Sequence, residues 1–371
     1  MATQANLRAI FDWLQFQTFS LDLEVITHNI LNVPLLYFIQ KKGRLEYYEY
    51  DSVLEYGDIR IYDYSTELQL SFIEKESGLR KDKMVVMSGK ALTFYREEIL
   101  AKQNCSFKNF LVNLFKNYED KFKVTRTDPA IDDFNENPYF TPKQLLKICE
   151  QKHFSCGKST FYEIYGTENK EKGMTLYLKS PTADDRIKFY DKQAEQAIKQ
   201  GVRKKDMPKQ IRTEIVFRRE KAHEFIKYYV NQNIELIDLI KGHLKEKVKF
   251  YSDDFKSPLR KWDRFLGKTQ PFKLSIPKEN SNLYSKFEWI FYQGGFSTFI
   301  AYLFCLENGL FTYEELKQFE KIREKIEVFP PNLASDLIQQ ATIMERKDLI
   351  PLIKQMTKKP PKKIGDLEKL N

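Results

Sequence analysis

A chain of 371 residues with 42% hydrophobic and 30% charged side chains can bury one large or two modest cores, and none of its apolar runs is long enough to span a bilayer. Its four cysteines (Cys105, Cys149, Cys156, Cys305) form no CxxC pair, which argues against a zinc site or disulfide framework. With no signal-peptide pattern at the N-terminus, a reduced cytoplasmic setting without membrane contact is expected. The net charge of +9 points to a polyanionic partner, although lysine-rich proteins often carry such a bias without one. The 29 Phe and 21 Tyr supply core, and some of these rings could stack on unpaired bases.

The first 130 residues read mainly as strands. "FDWLQFQTF" alternates, "YYEYDSVLEYGDIRIYDYS" reads as paired strands around Gly57, and "LQLSFIEK" and "KMVVMSG" follow. "SFKNFLVNLFKNYEDKF" has helical spacing with Ser106 as cap, and "KVTRTDPAIDDF" returns to a strand. "TPKQLLKICEQ" is a helix capped by Thr141 with Pro142 in its first turn. Strands follow in "FYEIYG", "MTLYLKS", "RIKFYDK" and "IRTEIVFRRE", the turn string "SPTADD" making a hairpin of the middle two. After Lys221 the pattern turns helical, through "IELIDLIKGHLKEKVKF", "KFEWIFYQGGFSTFIAYLFCLENGL" and "YEELKQFEKIREKI". No internal repeat stands out.

The expected class is therefore α+β, a large, mostly antiparallel central sheet flanked by helices, with a mainly helical C-terminal part. The composition divides it into a sheet-rich region at 1–230, a helical region at 231–357 and a polar tail at 358–371.

Three strands carry the candidate chemistry. In "RIKFYDKQAEQ", period two puts Arg186, Lys188, Tyr190 and Lys192 on one face. A phenol among cations is either a strand tyrosine packed on lysine stems or a nucleophile with a stabilised phenolate. "TRTDPAIDD" aligns Arg126, Asp128 and Asp132, the carboxylates about 13 Å apart unless Pro129 bends the strand. It is read either as a metal-binding strand or as the start of a turn. "IRTEIVFRRE" sets Arg212, Glu214 and Arg218 on one face, either as a salt-bridged surface or as ligands for metal and phosphate. The four histidines form no HxH or HxxxH pair, so a metal here would be oxygen-ligated Mg²⁺ or Mn²⁺. "SCGKST" lacks the first glycine of a phosphate-binding loop.

In order and spacing, "FDWLQF", "VVMSGKALTFYREE", "VTRTDPAIDDF" and the set "LYLKS…RIKFYDKQAE…IRTEIVFRRE" resemble the replication initiation proteins of staphylococcal-type rolling-circle plasmids, the Rep_trans family, and the related relaxases of integrative elements. The likeness covers roughly the first 230 residues, with a looser echo in "SPLRKWDRFLG". It implies that Tyr190 is the nicking tyrosine, in the pattern Y-x-K-x-x-E with Lys192 and Glu195. Asp128, Asp132 and Glu214 would hold Mg²⁺ or Mn²⁺, and Lys188, Lys192 and Arg212 would supply the field at the phosphate. Proline stands at 129 where an aliphatic residue is usual, and Val216 replaces a frequent second acid.

The implied activity is a metal-dependent nicking and closing of plasmid origin DNA at a single-stranded or hairpin site. It leaves a 5′-phosphotyrosyl link and a 3′-hydroxyl for rolling-circle replication. The resemblance makes 1–230 the nicking and joining domain and places origin recognition in the helical region at 231–357. Arg126, Arg218, Arg260, Lys261, Arg264 and Lys268 are the expected DNA contacts, although around Trp262 and Phe265 an amphipathic helix with solvated cations reads equally well. A homodimer and a superfamily 1 DNA helicase are implied as partners. The alternatives are a conjugative relaxase with the same chemistry, a DNA-binding regulator without catalysis, and a Mg²⁺-dependent nuclease that uses water.

Overall fold

The computed structural model describes residues 6–45, 48–74, 79–166, 173–252, 257–276, 299, 302–305, 307–310, 312–314, 316–317 and 331–356. The chain divides into two compact units, residues 1–276 and 277–371.

The first unit begins with β1 (Leu7–Thr18), β2 (Ile39–Lys42), β3 (Ser52–Tyr56) and β4 (Ile59–Asp63). Helix α1 (Thr66–Glu74), β5 (Lys83–Ser88), α2 (Gly89–Phe94) and α3 (Phe107–Tyr118) follow. Then come β6 (Phe122–Asp133), α4 (Pro142–Glu150), β7 (Phe154–Cys156), β8 (Tyr162–Gly166), β9 (Met174–Leu178) and β10 (Asp185–Asp191). The unit ends with α5 (Lys192–Gln200), β11 (Ile211–Arg218), α6 (Arg219–Asn231), α7 (Leu236–Lys247), β12 (Val248–Phe250) and α8 (Arg260–Leu266). The expected α+β class is what forms.

Ten of the strands make one antiparallel sheet in the order β2-β3-β4-β5-β1-β6-β11-β10-β9-β8. Read outward from the centre, β1-β5-β4-β3-β2 and β6-β11-β10-β9-β8 are the same arrangement written twice. A helix joins the last two strands of each half, α1 in one and α5 in the other. This topological repeat leaves no trace in the sequence, because it is a repeat of connections and not of side chains.

Alternation explains the layering. Leu14, Phe16, Val85, Met87, Val124, Ile131, Ile187, Phe189, Ile215 and Phe217 point to the face covered by helices, forming the main core with Leu111, Leu145, Phe225, Leu239 and Trp262. The opposite face carries a smaller cluster of Tyr50, Val53, Tyr62, Met84 and Val86, and the polar residues of the site.

Local chemistry sets several boundaries. Ser106 caps α3 through Asn109 N–H, and Thr141 with Gln144 forms a capping box on α4, each such cap contributing about 1 kcal/mol. The β3–β4 turn at Gly57–Asp58 has φ of 53° and 64°, the left-handed pair that a two-residue hairpin needs.

Two expectations change. "LQLSFIEK" forms helix α1 and not a strand: Ser65 Oγ accepts from Leu68 N–H at its start, and Phe72 packs on the Tyr64 ring. The run "IELIDLIKGHLKEKVKF" stops being helical at Lys247, where β12 pairs with β7.

Helices α7 and α8 belong to the compact unit that ends at Ile276 and bury Leu239, Trp262 and Phe265 in the main core. In the second unit, α9 (Pro331–Ile343) and α10 (Ile350–Gln355) meet around Ala334, Ala341 and Ile353. Most of "KFEWIFYQGGFSTFIAYLFCLENGL" and "YEELKQFEKIREKI", and the tail at 358–371, lie outside the described residues.

Candidate active site

Strand β10 brings Tyr190 to the end of the sheet and stops there, because the Asp191 side chain accepts from Ala194 N–H and starts α5. Lys192 therefore opens a helix and does not continue the alternation. Register then decides the neighbours: across β10 and β11, Lys188 faces Glu214 and Tyr190 faces Arg212, while Arg212 faces Asp132 of β6.

The Tyr190 hydroxyl donates to Glu214 Oε2 at 2.9 Å, and Lys188 Nζ is paired with Glu214 Oε1. Glu214 is 1% exposed. Burial raises its pKa; Lys188 opposes the rise, and the nearby charges of Asp128 and Asp12 add to it. The Tyr190 phenol is also pushed up, first by burial and then by Glu214, with Arg212 pulling the other way.

The expectation of a phenol in a field of free cations is therefore corrected. Arg186 is paired with Glu163, Lys188 with Glu214, and Lys192 Nζ lies 2.7 Å from Glu195 Oε2. Cations this close to the core keep their charge only with a counter-ion beside them. Lys192 also sits 5.5 Å from the centre of the Tyr190 ring.

Arg212 departs furthest from its expected place. It is 3% exposed, with Nε and Nη2 donating to the two oxygens of Asp132 at 2.6 and 2.9 Å and Nη1 donating to Asp12 Oδ1 at 2.6 Å. The guanidinium ties β11 to β6 and to β1, and its hydrogen-bonding faces are committed to carboxylates. Asp132 is fully buried, with Arg8 3.5 Å away as a second cation.

A cavity of about 500 Å³ opens beside Tyr190, lined among others by Asp12, Trp13, Arg126, Asp128, Lys188 and Glu214. Asp12 and Trp13 reach it through a bulge: Phe11 pairs with Pro129 and Leu14 with Thr127, so two residues of β1 oppose Asp128 alone. Pro129 lies opposite Phe11 at the edge of this irregularity, but the extra residue belongs to β1, and β6 itself runs as one strand from Phe122 to Asp133. Arg126 makes a two-bonded pair with Asp128, at 3.0 and 2.6 Å, and lies 4.2 Å from the Trp13 ring.

The far wall includes Gly166 and Gly173 of the β8–β9 hairpin, Thr175, Tyr177 and Glu195. Gly173 has φ +70°, and a Cβ there would lie 2.8 Å from Ala194 Cβ, so glycine lets the hairpin pass the first turn of α5.

Asp128, Asp132 and Glu214, the expected metal ligands, do not share one site. Asp132 faces Arg212 and does not line the cavity, whereas Asp128 and Glu214 do. No three His, Cys, Asp or Glu side chains among the described residues are grouped to hold a metal ion as placed. Among the carboxylates on the cavity wall, Asp12, Asp128 and Glu214 lie on neighbouring strands, each held by a basic side chain: Arg212, Arg126 and Lys188.

The remaining expected DNA contacts are dispersed. Arg218 donates to the carbonyls of Pro181 and Ala183 at 3.2 and 3.1 Å. Arg260, Lys261, Arg264 and Lys268 are exposed on and just after α8, whose Trp262 and Phe265 are buried. Both expected features of an amphipathic helix, core aromatics and solvated cations, are therefore present there.

Asp12 and Trp13 were not among the expected site residues. Their signal was an aspartate inside the apolar alternation of "FDWLQF", a costly residue to place in a central strand without a purpose.

Comparison with known proteins follows the same outline. Residues 122–310 match the model of the replication initiation factor family, and residues 8–113 match the N-terminal domain of rolling circle replication initiation proteins. No curated protein matches the chain. Among solved structures, the rolling circle replication initiator protein from Geobacillus stearothermophilus aligns over 73% of this chain and 99% of its own, at 21% identity and a TM-score of 0.54, so it shares the fold. With a family model spanning half the chain across the strands that build the cavity, this protein belongs to the replication initiation factor family of rolling-circle initiators.

Proposed function

We propose that this chain nicks and rejoins one strand of plasmid origin DNA through a covalent bond to Tyr190. The observation that carries the reading is the 2.9 Å hydrogen bond from the Tyr190 hydroxyl to a buried carboxylate with a raised pKa, at the edge of a cavity. A phenol whose own pKa is raised needs its proton removed as it attacks, and Glu214 is in reach to take it.

Tyr190 Oη attacks the scissile phosphorus as its proton passes to Glu214. The bond from phosphorus to the 3′ oxygen breaks and that oxygen takes a proton from solvent, leaving a 3′-hydroxyl and a 5′-phosphotyrosyl link; the reverse attack by a 3′-hydroxyl, which gives up its proton as the phenol recovers one, restores the strand. One phosphodiester replaces another, so rejoining needs no nucleotide triphosphate. Lys188 holds Glu214 in place and keeps a positive charge near the developing negative one.

Asp12 and Asp128 are the oxygens that would hold Mg²⁺ or Mn²⁺. Such an ion, when bound, supplies charge stabilisation at the phosphate. Trp13 and Tyr177 offer rings on the cavity wall for unpaired bases, and Arg260, Lys261, Arg264 and Lys268 offer an exposed basic surface for duplex DNA. The family's N-terminal domain match supports an initiator over a conjugative relaxase. A homodimer and a superfamily 1 helicase partner complete the proposal.

The test is to incubate the protein with labelled single-stranded origin DNA and Mn²⁺ and run a denaturing gel. A protein–DNA adduct that disappears in Tyr190→Phe supports the reading. Cleavage without an adduct means a hydrolytic nuclease, and binding without cleavage means a regulator.

A further inference from the structure

A second cavity, of about 600 Å³, lies away from Tyr190 and is lined by Cys156, Gly157, Lys158, Ser159, Lys179, Asp185, Lys221 and Lys247. Asp185 shares the Ile187 and Phe189 side of β10, so this cavity belongs to the helix-covered face of the sheet, opposite Lys188 and Tyr190.

Its construction is specific. "SCGKST", read above as a failed phosphate-binding loop, forms a tight turn instead: Cys156 and Ser159 exchange both backbone hydrogen bonds, with Gly157 at φ +62°. Gly157 N–H donates to the Lys247 carbonyl at 2.7 Å, which fixes the turn against the end of α7 and brings Lys158 and Lys247 to one rim. Lys179 adopts φ +71°, a conformation rare for a side chain of this kind, and it points its ammonium at Asp185 Oδ2 at 2.7 Å. Lys221 takes Asp185 Oδ1 at 2.9 Å.

The charge count then decides the ligand. Among the described residues four lysines face one carboxylate, and that carboxylate is already shared by Lys179 and Lys221. His243, buried behind Asp185, has its pKa lowered by burial and adds no charge near neutrality. Among the described residues neither Lys158 nor Lys247 has an ion-pair partner. Burial pushes the Cys156 thiol up to about 11, so thiolate chemistry is not what the site offers. An open cavity with surplus ammonium groups and no aromatic side chain among its described lining residues suits a phosphate oxyanion, not a base.

We propose that this lysine cleft is a second phosphate-binding site that grips the sugar–phosphate backbone of the DNA outside the nicked segment. It rests on the reading of the chain as a DNA-nicking initiator and adds a contact on the side of the sheet away from the chemistry. Backbone phosphates and small free phosphates share the same chemistry, so the experiment separates them.

Full-length protein and a Lys158→Ala/Lys247→Ala variant are compared for binding to a labelled random-sequence duplex over a range of NaCl concentrations. These two lysines are chosen because Lys179 and Lys221 hold Asp185. Loss of two phosphate contacts lowers the slope of log K against log[salt] by about 2, and Lys158→Arg/Lys247→Arg restores it. An unchanged slope overturns the proposal. Titration with inorganic phosphate and tripolyphosphate forms the second arm: tight binding lost in the alanine variant, with an unchanged duplex slope, reassigns the cleft to a small phosphate and also overturns it. Cleavage of a short single-stranded oligonucleotide spanning only the nick should be the same in both proteins. If wild type fails to cleave it, the nicking reading falls, whatever the slopes show about the cleft.

Discussion

Replacing Glu214 with glutamine probes the proposed proton transfer. Glutamine keeps the volume and can still accept from Tyr190 Oη, but it cannot take its proton. The hydrogen bond is 2.9 Å long and fully inside the protein, so a loss typical of a removed general base is expected, about 10²- to 10⁴-fold in the nicking step. That corresponds to about 2.7–5.4 kcal/mol of barrier. The substitution also strands the Lys188 ammonium. Breaking a buried pair costs about 3–5 kcal/mol, and the 18% exposure of Lys188 puts this case near the lower end. The two effects separate experimentally: single-turnover nicking of a labelled oligonucleotide at saturating protein, below the melting temperature of both proteins, reads the chemical step alone. A Glu214→Gln protein that stays folded, binds the oligonucleotide and nicks within about threefold of wild type would refute the base assignment.

Further outcomes follow from the geometry. The nicking rate of wild type should fall on acidification well above the ~4.3 of a free glutamate, because burial raises Glu214 and the base must be unprotonated; this acid limb should vanish in Glu214→Gln. For stability the sign is opposite: a raised carboxyl stabilises the fold at pH below its unfolded value, and that contribution is lost as pH rises through the folded one, which urea titrations across pH would show. Arg212→Ala should cost about 3–5 kcal/mol in urea unfolding, because it leaves buried Asp132 with only Arg8 at 3.5 Å; near-normal stability with lost DNA affinity would return Arg212 to a phosphate-binding role. Asp12→Asn and Asp128→Asn should raise the Mn²⁺ concentration needed for half-maximal nicking, whereas Asp132→Asn should lower melting temperature without moving that concentration. Gly173→Ala should destabilise by about 1–3 kcal/mol in thermal melts, since its Cβ meets Ala194 and its φ is +70°.

Much of the site could be read from alternation. Lys188 with Tyr190, and Arg212 with Glu214, share faces as period two requires, and the turn residues of "SPTADD" joined β9 to β10 as expected. What alternation cannot give is the neighbour across the sheet. Arg212 looked like a phosphate ligand in its own string, yet β6 and β1 place Asp132 and Asp12 within its reach, and they take a hydrogen bond from each of its three nitrogens. The same ignorance of partners made Tyr190 look surrounded by free cations, when each cation has a carboxylate on another strand or the next helical turn.

Asp12 was hidden for a different reason. A bulge changes which face two consecutive residues see, and no propensity in "FDWLQF" announces one. Helix α1 was missed because its Leu68, Leu70 and Phe72 alternate like a strand, while the Ser65 cap and the packing of Phe72 on Tyr64 decide otherwise. The repeated strand order of the two half-sheets is invisible in the sequence because topology constrains which strands meet, not which side chains they carry.

The central claim is that the strand is held by Tyr190 and by no other of the 21 tyrosines. Trapping the adduct on a labelled origin oligonucleotide, digesting the protein and fragmenting the nucleotide-bearing peptide by mass spectrometry locates the bond directly. The account predicts a phosphodiester on Tyr190, in the tryptic peptide running from Phe189 to Lys192. A nucleotide on any other residue, or cleavage products with no modified peptide, would contradict it.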